Sequence, residues 1–167
     1  MGVRRVVTGH DKAGRSIIVS DQLAEPIEAG GLGETYVFWS ADELPSFPNN
    51  GQDPQARTPF PPVGGFRFFM LTIESRTSAP PLVEAVDLGE AGQPAMRGEI
   101  TGFHETDTID FEVVLQGEAT LTMSSGQQVT LKPGEVVVHN GECHAWSNEG
   151  SVPAVLAGCV IGGHRLR

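Results

Sequence analysis

Apolar positions in this chain come in short runs that rarely exceed eight residues, separated by glycine, proline and asparagine. Runs of this length, rich in Val, Ile, Thr, Phe and Trp, suit strands rather than helices, which need about ten or more residues of helical periodicity. The pattern predicts strands over residues 16–20, 35–39, 66–73, 82–86, 110–115, 119–123, 128–131, 135–139, 144–146 and 155–161. Turn chemistry separates the later ones: Gly117, Ser124-Ser125-Gly126, Pro133-Gly134, Asn140-Gly141 and Asn148-Glu149-Gly150. An all-β domain follows, its antiparallel strands closing into a sandwich or barrel that removes exposed edges.

Strand alternation also sorts side chains. Asp110, Glu112 and Val114 share one face of their strand, and His144 and Trp146 share a face opposite Cys143 and Ala145. Residues 44–65 break the pattern, with Pro45, Pro48, Pro54, Pro59, Pro61 and Pro62 among asparagines and glycines. Such a stretch cannot pair as a central strand and reads as a long ordered loop or a mobile flap. Residues 1–43 read as an arm that adds strands to the main body or to a neighbouring subunit. With no repeat and no clear linker, the chain is one structural unit: arm and loop over 1–65, packed on a barrel over 66–167.

A chain of 167 residues, 39% hydrophobic, buries roughly 70% of its unfolded surface and needs neither metal nor disulfide to fold. A bound metal would therefore be functional. Eleven Lys and Arg against twenty-one Asp and Glu give a net charge of -10. With no basic cluster beyond Arg4 and Arg5, nucleic acid and anionic membrane are excluded as expected partners. No run approaches the roughly 20 apolar residues of a membrane span, and no apolar stretch follows Arg4-Arg5 as in a secretory signal. Cys143 and Cys159 make no disulfide framework and no CxxC pair, which fits a reducing cytoplasm.

Two spacings carry chemistry. Gly98 is followed by His104, Thr106, Asp110 and Gly117, and Gly134 by Gly141, His144 and Asn148. Over about residues 98–161 these resemble the two motifs of the cupin superfamily, in which Gly, five residues, His-x-His, three or four residues, Glu, six residues and Gly precede a second block ending in Pro-x-Gly, two residues, His, three residues and Asn. Asp110 stands where Glu is usual, Thr106 where the second His is usual, and His139 where Pro is usual. The resemblance implies a double-stranded β-helix, or jelly-roll barrel, with the N-terminal arm outside it.

If Asp110 and His144 both point inward, Glu112 and Trp146 line the same cavity. His104 then completes a set of two imidazoles and one carboxylate, suited to one Fe, Mn, Ni or Zn ion. His104 could instead face solvent, Asp110 could accept bonds from Thr106 or Thr108, and His144 could cap a turn. Thr106 is a poor metal ligand, so at most it hydrogen-bonds a metal-bound water and lines the substrate pocket beside Trp146. His139 reads as structural. Asp110 and Glu112, two residues apart, lie about 7 Å from each other on one face. A metal would hold Asp110 ionised, leaving Glu112 with a raised pKa and the role of general acid or base. Otherwise Glu112 sits at the rim, solvated or paired with Arg67 or Arg97.

Two functions compete. One is a metal-dependent enzyme of lyase, isomerase, decarboxylase or oxygenase type acting on a small organic molecule. The other, favoured by Thr106, is a non-catalytic module that binds or senses such a molecule; no helix-turn-helix accompanies it. A homodimer is expected, with strands from residues 1–43 near the interface.

Overall fold

The computed structural model describes residues 2–27, 32–54, 56–76, 96–98 and 102–166. Over these the chain forms strands and no helix: β1 (Arg4–His10), β2 (Ser16–Leu23), β3 (Thr35–Ala41), β4 (Phe66–Ile73), β5 (Met96–Gly98), β6 (His104–Thr106), β7 (Thr108–Gln116), β8 (Ala119–Met123), β9 (Gln128–Leu131), β10 (Val136–His139), β11 (His144–Ser147) and β12 (Ala154–Gly162). β1 and β2 form a separate hairpin, and the others make two five-stranded sheets ordered β10-β7-β12-β4-β3 and β5-β6-β11-β8-β9. Paired strands run antiparallel throughout. From β6 onward the chain crosses repeatedly between the two sheets, the winding of a jelly roll.

The strands expected at 66–73, 119–123 and 128–131 have those bounds. β1, with the sequence RRVVTGH, and the three-residue β5 and β6 carry too few apolar alternations to be read in advance. The strand expected over 82–86 lies outside the described residues. From the arm, β3 joins the edge of one sheet by pairing with β4. The proline-rich segment after it contains no strand among its described residues, and Arg67, which is buried, ties it down. Its guanidinium donates to the carbonyls of Ala41 at 2.7 Å and Thr58 at 2.8 Å and to Asp42 Oδ1 at 2.6 Å.

Burial alternates along β7, with Thr108, Asp110, Glu112 and Val114 inward. At one end of this row Val114 joins Ile73, Ala119, Leu131, Ala154 and Leu156 in a dry core. Toward the other end the same strand presents two carboxylates and a hydroxyl to the interior. The space between the sheets therefore has an apolar end that holds it closed and a polar end. Gly117 ends β7 with φ 69°, where a Cβ would lie 2.5 Å from the Pro153 carbonyl oxygen. Only glycine fits that turn.

Candidate functional site

β11 meets β6 through one register pair, His144 opposite His104. This sets the two imidazoles side by side, ring centroids 4.6 Å apart, and both are buried. Each Nδ1 lies against the backbone carbonyl two residues earlier, 3.0 Å from Gly102 O for His104 and 2.9 Å from Glu142 O for His144. A carbonyl only accepts, so each Nδ1 carries the hydrogen and each Nε2 keeps its lone pair in the neutral ring. The approach to His144 depends on Gly141, whose φ of 72° suits glycine and whose Cβ would lie 2.8 Å from Thr106 O.

The carboxylates come from the facing sheet. Asp110 and Glu112 are both buried, and Asp110 Oδ1 and Glu112 Oε2 have no hydrogen-bond partner among the described residues. Burial pushes the Asp110 carboxyl up to about 6; the Thr108 hydroxyl opposes this and the charge of Glu112 adds to it. The sequence places the raised pKa on Glu112, on the premise that a metal holds Asp110 ionised. In the chain alone the raised carboxyl is Asp110. Glu112 in turn owes its room to Gly158, its register partner on β12. A Cβ there would lie 2.8 Å from Glu112 Cγ and 3.1 Å from Phe69 Cζ.

His139 connects the two sheets. It pairs with Asp110 in the β10–β7 ladder, and its ring stacks on His144 with centroids 4.1 Å apart at 15°. Trp146 meets it edge-on at 5.7 Å while packing against the dry core on its other side. His139 Nδ1 lies 2.6 Å from Glu142 Oε1, and its Nε2 faces Glu112 Oε2 at 3.6 Å, an ion-pair distance too long for a hydrogen bond. Burial works against charging this ring, but the two carboxylates outweigh it and its pKa is raised. Glu142 is lowered in return, its bond to His139 overcoming burial. His144 is pushed down to about 4, first by burial and then by the neighbouring charge of His139. A ring that favours its proton thus lies against one that sheds it.

The remaining expected residues have distinct fates. Thr106 is buried, with Oγ1 hydrogen-bonded to Thr108 Oγ1 at 2.7 Å, so its hydroxyl is already engaged. Asn148 holds the fold: Nδ2 donates to Ile73 O at 3.0 Å and Val152 O at 2.8 Å, and Oδ1 accepts from Gly150 N at 2.8 Å. Arg67 is paired with Asp42 instead of Glu112, and the Arg97 side chain lies outside the described residues. Sequence reasoning missed Glu142 entirely. Glu142 lies in the turn between β10 and β11, where strand alternation assigns no direction.

His139, Glu142 and His144 each place one ligand-type atom within 4.8 Å of the others. As a metal site this group is largely saturated. Glu142 Oε1 is engaged by His139 Nδ1, Oε2 accepts from Asn140 N, and His144 Nδ1 is bound to Glu142 O. Asp110 Oδ1, Glu112 Oε2 and His139 Nε2 are buried without a hydrogen bond among the described residues, and the Nδ1 bonds of His104 and His144 leave their Nε2 atoms as the lone-pair nitrogens. Imidazole nitrogens and carboxylate oxygens are donor types that suit a divalent ion, without selecting among transition metals. Among the described residues, however, the group whose ligand atoms lie within 4.8 Å of one another is His139, Glu142 and His144, not His104, Asp110 and His144.

The site is thus a cluster of histidines and carboxylates at the polar end of a jelly roll. Residues 95–161 match the model of the cupin domain. Phomopsin biosynthesis cluster protein C' of Diaporthe leptostromiformis is 28% identical over 155 residues, 86% of this chain and 69% of that protein. The cupin-domain-containing oxidoreductase fogC of Aspergillus ruber is 24% identical over 151 residues, 87% of this chain and 64% of that one. Among solved structures, the DMSP lyase DddQ of Ruegeria pomeroyi is 14% identical, with a TM-score of 0.45 over 81% of this chain and 49% of its own.

Proposed function

We propose that this chain is a metal-dependent enzyme acting on a small organic molecule between the two sheets, in a reaction of lyase, isomerase, decarboxylase or oxygenase type. The observation that carries this reading is the matched fixing of His104 and His144 by backbone carbonyls at Nδ1. A second partner of this kind orients a metal-ligating imidazole and sets its tautomer. In this reading His104, His144 and Asp110 hold one divalent ion, Fe, Mn, Ni or Zn. When bound, the ion supplies Lewis-acid polarisation of a carbonyl or hydroxyl oxygen.

The chain's own residues supply the rest. Glu112 takes or returns the substrate proton at Oε2, the oxygen left without a hydrogen bond. His139, whose Nε2 faces that oxygen at 3.6 Å, stabilises the carboxylate between transfers. Trp146, packed against the dry core, lines the substrate pocket in this reading. The biosynthesis-cluster and oxidoreductase names of the relatives support small-molecule chemistry. One observation favours a binding or sensing role instead: the Thr106 hydroxyl, at the second motif histidine's position, is consumed by Thr108. The two unpaired cysteines fit a reducing cytoplasm, and the acidic charge argues against nucleic acid and membrane as partners.

The test is elemental analysis of protein purified without added metal, with circular dichroism as a check on folding. One divalent ion per chain is expected, lost in His104→Ala and His144→Ala. Metal content indifferent to both substitutions would refute the site. A metal-loaded protein that binds small molecules in thermal-shift assays but turns none of them over would decide for the sensing role.

A further inference from the structure

The joint that brings His104 to His144 is built from little backbone. β11 shares four ladder pairs with β8 but, among the described residues, one with β6, which is itself three residues long. So thin a joint is where a sheet opens locally at low cost. Each imidazole is oriented within its own segment, by the carbonyl two residues before it. Those local bonds leave the placement of one segment against the other unset.

Arg165, which follows β12, spans this joint. Its Nη2 donates to Thr106 O at 3.0 Å, at the end of β6, and to Gly141 O at 3.2 Å, in the turn that leads into β11. Nε donates to Asp107 Oδ1, and Nη1 faces Glu105 Oε2 at 3.6 Å, an ion-pair distance. The segment carrying the guanidinium is anchored in turn: Gly162 opposes Thr108 at the end of β12, and Gly163 N donates to Asp107 O at 2.8 Å.

We propose that Arg165 is a positioning residue for the histidine pair, a clasp that sets His104 against His144 by joining the end of β6 to the turn before β11. The two carbonyls it bridges lie two residues after His104 and three before His144. The turn is already pressed toward β6, since a Cβ on Gly141 would lie 2.8 Å from Thr106 O. Two carbonyl oxygens only accept, so a bridging donor is what joins them. A planar fork of N–H groups reaches both carbonyls and Asp107 together, which the compact ammonium of lysine does not. The consequence for metal binding rests on the reading of His104 and His144 as ligands; the placement of the rings does not.

The test compares the whole chain with Arg165→Ala and Arg165→Lys by NMR in the presence of chelator. Partly exposed ion pairs add little to global stability, so both variants are expected to fold, with circular dichroism as the check. Wild type should show a nuclear Overhauser effect between the His104 and His144 rings, whose centroids are 4.6 Å apart. Both variants should lose it and keep the one between His139 and His144, which the clasp does not span. Arg15→Ala, which removes an exposed ion pair in the β1–β2 hairpin, should change neither. Cobalt(II) affinity should fall at least about tenfold in both Arg165 variants, the lower end of what outer partners of a metal site cost. A wild type that binds no cobalt defeats the metal reading and leaves the ring contacts to decide the clasp. The proposal is overturned if Arg165→Ala keeps the His104–His144 contact or loses the His139–His144 contact as well. It is also overturned if Arg165→Lys restores the contact, or if a cobalt-binding wild type and Arg165→Ala bind the ion equally. Arg165→Lys keeps the test decisive should Arg165→Ala fail to fold.

Discussion

Replacing Asp110 with asparagine sets the needs of the fold against those of the site. The carboxyl is 5% exposed and titrates at about 6 instead of its ordinary 3.8, chiefly because burial penalises its charge. Below pH 3.8 it is protonated in folded and unfolded chains alike, and its full contribution to stability is present. As pH rises toward and through 6, the unfolded chain ionises first and stability is lost. At about 1.4 kcal/mol per pH unit between the two values, the ionised carboxyl costs the metal-free fold about 3 kcal/mol at pH 8. Asp110→Asn removes that cost but leaves an amide to be satisfied, so about 1–2 kcal/mol of net stabilisation is expected. In a chain of this size that raises Tm by about 2–8 °C. His144, held at about 4, acts in the opposite sense, losing stability as pH falls from 6.5 toward 4; both proteins share it, so it cancels in the difference. Scanning calorimetry with chelator should show the variant melting higher at pH 8, with the gap closing toward pH 4. With a saturating divalent ion, the variant should gain less from the metal than wild type does. A variant no more stable at pH 8, or a gap independent of pH, would show that the buried charge is not a burden on the fold.

Two further predictions concern the neighbouring carboxylate. Once a substrate is known, Glu112→Gln should lower turnover at least about a hundredfold with metal content unchanged, and activity within a few-fold of wild type removes Glu112 from the chemistry. Gly158→Ala pushes a methyl group into Glu112 Cγ and Phe69 and should cost about 1–3 kcal/mol, measured by denaturant titration; an unchanged midpoint would mean that the glycine is not what makes room for Glu112.

Those parts of the fold and site that depend on local pattern were legible in the sequence. The period-2 alternation of β7 put Asp110 and Glu112 on one face, and they share the interior. The motif spacing singled out His104 and His144, and a single ladder pair joins them. What escaped depends on contacts distant in sequence or on loop geometry. His139 sits where the motif that the chain resembles usually has proline and looks structural on its strand; the β10–β7 ladder sets its Nε2 toward Glu112, and only the closing of the two sheets brings its ring onto His144. Glu142 lies in a turn, where alternation gives no direction, and its role appears only through its bond to His139. Asn148 was carried along as a motif position, and its three hydrogen bonds show that it closes the turn before β12.

The position of His139 also bears on how this protein comes into being. Its backbone belongs to the sheet of β7 and β12, while its ring rests on a histidine of the opposite sheet. In a partly folded chain, with the sheets formed but not yet closed, Glu112 would keep His139 beside it on the paired strand, and His144 would lack it. The opposed pKa shifts of the stacked rings would relax toward ordinary values, because the burial would be gone and the two rings would no longer face each other. The opposed titration of the two stacked rings is therefore a property of closure, which a folding intermediate that keeps the sheets apart does not have. A ligand that engages both sheets would act as a latch across the seam, slowing their separation and lengthening the life of the native state.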